Sequence, residues 1–314
     1  MLMTVTQAAA DNEPGAFSVL FENDVFDHSD RDYTNGVQFA YTTGPHETDW
    51  TVNTARFLPF FAQTGEVRTS YAIGQNIYTP KDTNLSNPPI TERPYAGFLY
   101  AAIGFLEKNE ARLDQLQLQL GVVGPDSLAE DAQRWVHSII NNPQPKGWST
   151  QLHNEPAAEL TYERSLKLIP PQSIFGLIFD VEPHFGGAVG NVYDYVNVGA
   201  MMRLGFNLPD DYGPLRIEPG LPGSNFFEPT AGFSAYVFGG VDGRAIGRNI
   251  FLDGNTWQDS RSVAKKDLVG DLTLGAAVTF SRLRLAYTHV IRTREYSSQT
   301  SPSKFGALSL SFLL

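Results

Sequence analysis

Apolar and polar residues alternate with a period of two in several segments, and this pattern restricts the fold more than any other feature of the chain. In the segment LDQLQLQL, Leu116, Leu118 and Leu120 fall on one side of an extended backbone, and glutamines fall on the other. The same alternation recurs over 268–280 and 307–314. The pattern therefore predicts strands that have one apolar and one polar face.

The whole chain, read in this way, contains about twelve strands joined by segments rich in Gly, Pro, Asn and Asp. No window holds the roughly 18 consecutive apolar residues of a membrane-spanning helix, and the mean hydropathy is −0.22. Strands that cross a bilayer need only about 9–11 residues of alternating polarity. The sequence therefore predicts an all-β fold, an antiparallel transmembrane β-barrel of about twelve strands. The strands are expected near 16–24, 33–43, 68–78, 94–106, 112–123, 157–168, 174–186, 192–206, 231–253, 263–280, 282–294 and 304–314.

Neither an internal repeat nor a low-complexity tract divides the chain, so residues 16–314 are expected to form one barrel domain. The preceding segment, 1–15, contains three consecutive alanines but has no basic start and no full apolar stretch. It resembles the end of a signal peptide, which fits an exported protein.

One segment departs from the alternation. Residues 128–141 place apolar side chains at spacings of three, four and seven, which predicts a helix of about 14 residues. Asp126 or Ser127 is the expected N-cap. Gln133 and His137 are one turn apart and share a face of this helix. We expect this single helix to lie in a loop at the rim of the barrel.

Composition excludes several functions. The formal net charge is −11, the opposite of what binding to nucleic acid requires, so no nucleic-acid partner is expected. The absence of cysteine excludes disulfides, thiolate metal sites and cysteine nucleophiles. The sequence also lacks a His-Glu-x-x-His zinc motif, a Gly-x-Ser-x-Gly elbow and a phosphate-binding glycine loop. Catalysis must therefore depend on oxygen, amine or imidazole groups.

A cluster of carboxylate, amide and hydroxyl side chains follows the first predicted strand. Its members are Glu22, Asn23, Asp24, Asp27, Asp30, Asp32, Tyr33, Thr34 and Asn35, and one cation, Arg31, lies among them. Hard oxygen ligands of this kind suit Ca²⁺, although the spacing is not that of an EF-hand. In the alternative interpretation, Asp24, Asp27, Asp30 and Asp32 form a solvated hairpin loop.

Strand parity gives this cluster an expected orientation. If Phe17, Val19 and Phe21 face lipid, Asp24 faces the lumen together with Glu22, whereas Asn23 lies at the strand end, where parity no longer fixes it. If Tyr33, Val37, Phe39 and Tyr41 also face lipid, then Thr34 faces the lumen. Asp24 and Thr34 would then meet across adjacent strands. For His137, the alternative to a catalytic role is a partly exposed imidazole that the C-terminal end of the helix dipole stabilises as a cation.

Several motifs, taken together and in order, resemble those of the LpxR-type lipid A 3′-O-deacylase family over about 17–314. They are Phe21-Glu22-Asn23-Asp24, Asp30-Arg31-Asp32-Tyr33-Thr34-Asn35-Gly36, Gln75-Asn76-Ile77-Tyr78-Thr79-Pro80, Glu92-Arg93-Pro94-Tyr95-Ala96-Gly97, Gly121-Val122-Val123-Gly124-Pro125-Asp126, and the pair Gln133 and His137.

This resemblance implies a twelve-stranded outer-membrane barrel with its active site between the wall and a short extracellular helix. It also implies calcium-assisted hydrolysis of an acyl ester of lipopolysaccharide. Within the family pattern, Asn23, Asp24 and Thr34 match metal and active-site positions. His137 matches the general base, and Gln133 matches a polar neighbour on the helix. The implied partners are lipid A and outer-membrane lipid, and the implied state is a monomer.

Two other functions use the same scaffold. A non-catalytic barrel, either a channel or a structural protein, would not need Asn23, Asp24, Thr34 and His137 together. A general pore would also need a charged lumen, whereas the inward faces described above hold mainly Gln, Thr, Ser and Ala, apart from the residues Asp271, Arg282 and Arg284. An outer-membrane phospholipase would share the ester chemistry with different headgroup contacts.

Overall fold

The alternating segments fold as antiparallel strands in a computed structural model that describes residues 14–24, 32–45, 50–58, 61, 65–214, 228 and 232–314. The strands are β1 (Ala16–Asn23), β2 (Asp32–Thr42), β3 (Glu66–Thr79), β4 (Ala96–Lys108), β5 (Arg112–Val123), β6 (Glu155–Leu166), β7 (Ile169–Ile174), β8 (Leu177–Gly190), β9 (Tyr193–Phe206), β10 (Phe233–Asn249), β11 (Leu268–Phe280), β12 (Leu283–Arg292) and β13 (Ser303–Leu313). The expected signal-peptide remnant, 1–15, lies outside the described residues except for its last two positions.

The barrel is closed at two seams. β1 pairs with both β2 and β13, and β6 pairs with β8, so the twelve strands other than β7 form a ring. β7 pairs with the first residues of β8 beyond the end of β6, so β6 and β7 share one position in the ring. The predicted twelve-stranded antiparallel barrel is therefore confirmed. The sequence did not predict β7, because Pro170 and Pro171 remove two backbone donors from it.

The predicted alternation is also confirmed. Leu118 and Leu120 of β5 are exposed on the outer wall, whereas Gln115 and Gln117 are buried toward the lumen. β11, β12 and β13 show the same division between exposed apolar and buried small or polar side chains. An apolar outer wall suits contact with lipid. A closed barrel suits the membrane as well, because it leaves no unpaired strand edge there.

The lumen contains many charged side chains, so the expectation of a mainly neutral interior was wrong. The Arg203 guanidinium contacts Asp180 at 2.6 Å, Glu182 at 2.9 Å and Asp211 at 2.6 Å. Arg284 joins the same network through a 2.8 Å contact with Asp211. Charges buried in this way persist only when opposite charges compensate them. The expectation failed because it relied on strands whose inward faces are mostly neutral, whereas this network lies largely on β8 and β9.

A second network lies nearer the other end of the barrel, on β10, β11 and β12. Asp271 accepts from Arg292 at 2.9 Å and contacts Arg244 at 2.9 Å. Asp271 and Arg284 therefore face the lumen as predicted. Arg282 does not, because it is exposed in the turn between β11 and β12.

Aromatic side chains fill the lumen at the end where β1 finishes. The Tyr78 ring stacks on Phe251 with centroids 3.9 Å apart, and the Tyr33 ring meets Phe305 edge-on at 5.1 Å. Phe251 belongs to a short helix, α3 (Ile250–Asp253), which follows β10 directly. The predicted strand 231–253 therefore ran four residues too far.

A bulge in β2 reverses the expected orientation of Tyr33. Tyr33 pairs with Tyr78 and Asn35 pairs with Ile77, so Thr34 is the extra residue. Tyr33 is 1% exposed and faces the lumen, whereas parity had placed it against lipid. After the bulge, the residues of β2 alternate between the outer wall and the lumen as predicted.

Two further helices lie outside the lumen: α1 (Trp50–Phe57) and α2 (Ala129–Ile139). α2 corresponds to the predicted helix 128–141, but α1 and α3 show that it is not alone. Its N-cap is Leu128, with φ 59° and no side-chain hydrogen bond, because Asp126 and Ser127 form a 3-10 turn instead. Among the described residues, each helix falls short of the length and apolarity needed to cross a membrane.

Candidate active site on the outer wall

Helix α2 packs against the outside of the barrel. A Cβ atom on Gly97 of β4 would lie only 2.1 Å from Ser127 Oγ and 2.2 Å from the Ala129 Cβ, so the helix start touches bare backbone. Gln75 on β3 donates from Nε2 to the Ser127 carbonyl oxygen at 2.6 Å. These contacts fix the turn before α2 to two neighbouring strands.

A small apolar core holds the rest of the helix in place. Ile77, Tyr95, Ala129 and Trp148 are buried together, with Ala132 packed against them. The Tyr95 and Trp148 rings lie 4.9 Å apart. The segment after α2 therefore folds back and holds the helix against the wall.

A cavity of about 480 Å³ lies between α2 and the wall; we call it the wall cavity. Its lining residues are Phe21, Asn23, Thr34, Asn35, Val37, Phe39, Ile73, Gly74, Gln75, Ile77, Leu99, Ala132, Gln133, Trp135, Val136 and His137. The strand residues come from β1 to β4 and the helix residues from α2. The polar members concentrate toward the α2 end of the barrel, while Phe39 and Ile73 continue the exposed apolar outer wall. The cavity thus combines a polar upper part with an apolar floor.

His137 occupies the last turn of α2 and is 5% exposed. Its Nδ1 lies 2.6 Å from the Pro143 carbonyl oxygen. A carbonyl oxygen can only accept, so Nδ1 carries the proton and Nε2 of the neutral ring retains its lone pair. The backbone thus holds the tautomer in which Nε2 can act as a base, with a carbonyl in the place where a carboxylate often serves.

Gln133 lies one turn before His137 and also faces the cavity, so the two residues share one face of α2 as predicted. Its Oε1 accepts from Trp148 Nε1 at 2.8 Å, which fixes the direction of the amide. Among the described residues nothing accepts a hydrogen bond from its buried Nε2. The side chain therefore has a donor available beside the histidine.

The cluster after β1 is divided by the structure. Asn23 lies opposite Asn35 across β1 and β2, and both line the cavity. Thr34, in the bulge, also lines the cavity, and its Oγ1 lies 2.6 Å from Thr79 Oγ1. The prediction that Thr34 faces the lumen was therefore wrong, because the bulge presents it to the outer wall. Asp24 is 1% exposed and directly follows Asn23, but the cavity lining does not include it.

The donor set near the end of β1 fits a hard cation in its chemistry. Asp24 offers a carboxylate, whereas Asn23 and Thr34 offer neutral oxygens, and oxygen donors of these types are those that Ca²⁺ prefers. Within the described ranges, no three His, Asp or Glu side chains converge as metal ligands. The acidic loop residues of the predicted cluster, Asp27 and Asp30, lie outside the described residues.

Sequence reasoning missed the residues that position the site. Gln75 and Gly97 occur in motifs that resemble the family, but a motif alone did not reveal that each contacts the turn before α2. Pro143 and Trp148 gave no signal, because their roles depend on how the segment after α2 folds back.

Comparison with known proteins supports the fold. A family model described as "Outer membrane protein LpxR" matches residues 1–314. The solved structure of LpxR from Salmonella typhimurium superposes with a TM-score of 0.76 at 20% identity, covering 95% of this chain and all of that one. The β-domain of the Bordetella autotransporter BrkA gives a TM-score of 0.48 at 8% identity, with 96% and 99% of the two chains covered. No curated protein sequence matches the chain. Because the family model spans the entire sequence, this protein belongs to the LpxR family of outer membrane proteins and resides in the outer membrane.

Proposed function

We propose that this protein is a lipid A deacylase that hydrolyses the 3′-linked acyl or acyloxyacyl ester of lipopolysaccharide. The observation that carries the proposal is the pairing of His137 and Gln133 on one face of α2, above an apolar cavity that opens on the outer wall. Family membership supports the same function. A lipid ester can reach this site while its acyl chain remains in contact with apolar residues such as Phe39 and Ile73.

His137 supplies the base in this mechanism. Nε2 takes a proton from water as the water oxygen attacks the ester carbonyl carbon, and the ring becomes a cation that Pro143 stabilises through the Nδ1–H bond. The tetrahedral intermediate then collapses. The bond to the sugar oxygen breaks, and that oxygen takes the proton back from Nε2. One water is consumed, and a carboxylic acid and a sugar hydroxyl are formed.

Gln133 stabilises the oxyanion of the tetrahedral intermediate in this proposal. Its Nε2–H points from an amide that Trp148 already orients, so little reorganisation accompanies the reaction. A single oriented donor of this kind typically contributes about 10²–10³-fold to kcat.

Asp24, Asn23 and Thr34 are the residues that would hold Ca²⁺. When bound, this ion would supply positive charge to the ester carbonyl oxygen. Asp24→Asn keeps the shape of the side chain and removes its charge, so we expect the calcium concentration for half-maximal activity to rise at least about tenfold. This concentration is measured by adding CaCl₂ to protein that has been treated with a chelator and following its activity. If the calcium concentration for half-maximal activity is unchanged, Asp24 is not part of the ion site.

The test of the function is mass spectrometry of purified lipid A incubated with the protein in detergent. We expect loss of the 3′ acyl mass with the wild type and at least about 10³-fold slower loss with His137→Gln. His153→Gln is the matched control, because His153 is exposed on the same loop. Activity retained in His137→Gln would refute the proposed base. Hydrolysis of phosphatidylcholine with intact lipid A would instead favour the phospholipase.

The channel alternative receives less support from the structure. Paired charges around Arg203 and Asp271 occupy the lumen, and Phe251 packs among aromatic side chains at one end. These contacts are typical of a filled barrel that acts as a scaffold.

A further inference from the structure

A second concave surface lies on the outer wall, at the same end of the barrel as α2. It has a volume of about 830 Å³, and β9, β10, β11 and the segment after β12 form it; we call it the rim groove. In the ring, β12 and β13 separate it from the wall cavity on one side, and β5, β6 and β8 separate the two on the other. The rim groove is therefore distinct from the proposed active site.

The floor of the rim groove is bare backbone. Gly243 of β10 lies opposite Gly270 of β11, and both are outward positions. The atoms nearest to an added Cβ would lie 3.9 Å away at Gly243 and 3.6 Å away at Gly270, so a side chain at either position would enter the groove without a clash. Val198 and Leu268 stand beside this floor and are exposed. Val241, below Gly243, continues the apolar surface along the wall.

Two cations stand at the upper edge of the groove. Lys266 precedes β11 and Arg294 follows β12, and both line the groove. Thr293 exchanges hydrogen bonds with Gly270 at 2.9 Å in each direction, and Lys266 N donates to the Glu295 carbonyl oxygen at 2.7 Å. This antiparallel pairing brings the two cations to one rim.

Neither cation is neutralised by the described part of the chain. No ion pair joins Lys266 or Arg294 to another described residue, whereas the neighbouring Lys265 contacts Asp267 at 2.9 Å. The chain as a whole has a net charge of −11, so the positive charge above this apolar groove is opposite in sign to that of the whole chain. Positive charge over an apolar strip complements a lipid with an anionic headgroup.

We propose that the rim groove binds one phosphate-bearing anionic lipid of the outer membrane. The phosphate oxygens accept from Lys266 and Arg294, and one acyl chain lies over Gly243 and Gly270 and continues along Val241. The described lining contains no His, Asp or Glu side chain, so the site holds the lipid without hydrolysing it. The proposal goes beyond the deacylase function and does not depend on it.

Native mass spectrometry of the detergent-purified protein tests this site. The probes are dioleoylphosphatidylglycerol, diolein as a phosphate-free analogue, and inorganic phosphate. We expect phosphatidylglycerol to bind the wild type, and the double variant Lys266→Gln, Arg294→Gln to bind it at least about tenfold more weakly. Gly243→Leu, which fills the floor while both cations remain, should weaken binding to a similar extent. Arg282→Gln removes an exposed cation at the other end of the barrel and should leave binding unchanged.

Each contrary outcome overturns the proposal in a specific way. Equal binding of diolein shows an apolar surface without phosphate recognition, and competition by millimolar inorganic phosphate shows a bare anion site. If Arg282→Gln weakens lipid binding as much as the double variant does, the lipid is held by general charge attraction and not by the rim groove. Heat-modifiable gel migration verifies that Gly243→Leu is folded. If the folded variant binds phosphatidylglycerol as the wild type does, the acyl chain does not lie in the groove. Deacylation enters none of these readouts, so failure here leaves the proposed function intact.

Discussion

Substitution of Gly97 by Ala should displace α2 from the outer wall while leaving the barrel folded. The added Cβ would lie 2.2 Å from the Cβ of Ala129, whereas carbon atoms normally approach to about 3.5–4.0 Å. The helix must therefore retreat by about 1.3 Å, the difference between 3.5 and 2.2 Å. His137 and Gln133 move with it. A displacement of about 1 Å at a catalytic group costs about 10²-fold in rate, or about 2.7 kcal/mol of barrier.

The assay is the initial rate of lipid A deacylation, followed by mass spectrometry, together with heat-modifiable gel migration to show that the barrel is closed. Gly104→Ala is the matched control on the same strand, because its added Cβ would meet the Leu116 carbonyl oxygen at 3.4 Å, an ordinary contact. We expect Gly104→Ala to retain the wild-type rate. A wild-type rate in folded Gly97→Ala would refute the argument that contact with bare backbone positions α2.

Two other substitutions separate catalysis from stability. Trp148→Phe keeps an aromatic ring but removes the N–H that donates to Gln133, so kcat should fall about tenfold and the free energy of unfolding by about 1 kcal/mol. An unchanged kcat in steady-state measurements would show that Trp148 does not orient Gln133. Arg203→Met leaves Asp180 and Asp211 without their shared cation. The free energy of unfolding, measured in urea titrations, should therefore fall by about 3–5 kcal/mol, while kcat should be preserved. An unchanged unfolding midpoint would contradict a stabilising role for the network.

The strands were largely predictable from the sequence because each outward residue meets an apolar environment and each inward residue meets its neighbours in the lumen. This is why the alternation in β5 and in the last three strands is so regular. The bulge at Thr34 was not predictable, since an extra residue shifts the parity without leaving a mark in composition. Tyr33 therefore faces the lumen although the pattern placed it outside.

The candidate site was predictable in part. Gln133 and His137 share a helical face because helix geometry alone places residues four apart together. The hydrogen bonds that orient them come from Trp148 and Pro143, whose positions depend on the chain reversal after α2. Long-range contacts of this kind are decided by packing, and a single sequence does not reveal them.

The opposite orientation of neighbouring residues in β1 has an evolutionary consequence. Glu22 is fully buried in the lumen, and Asn23, the next residue, lines the wall cavity. Selection for a stable scaffold and selection for a lipid substrate therefore act on alternate positions of one strand, and either set can drift while the other stays fixed. A single-residue insertion early in β1 is the change that neither set tolerates, because it would exchange the two faces at every later position of the strand.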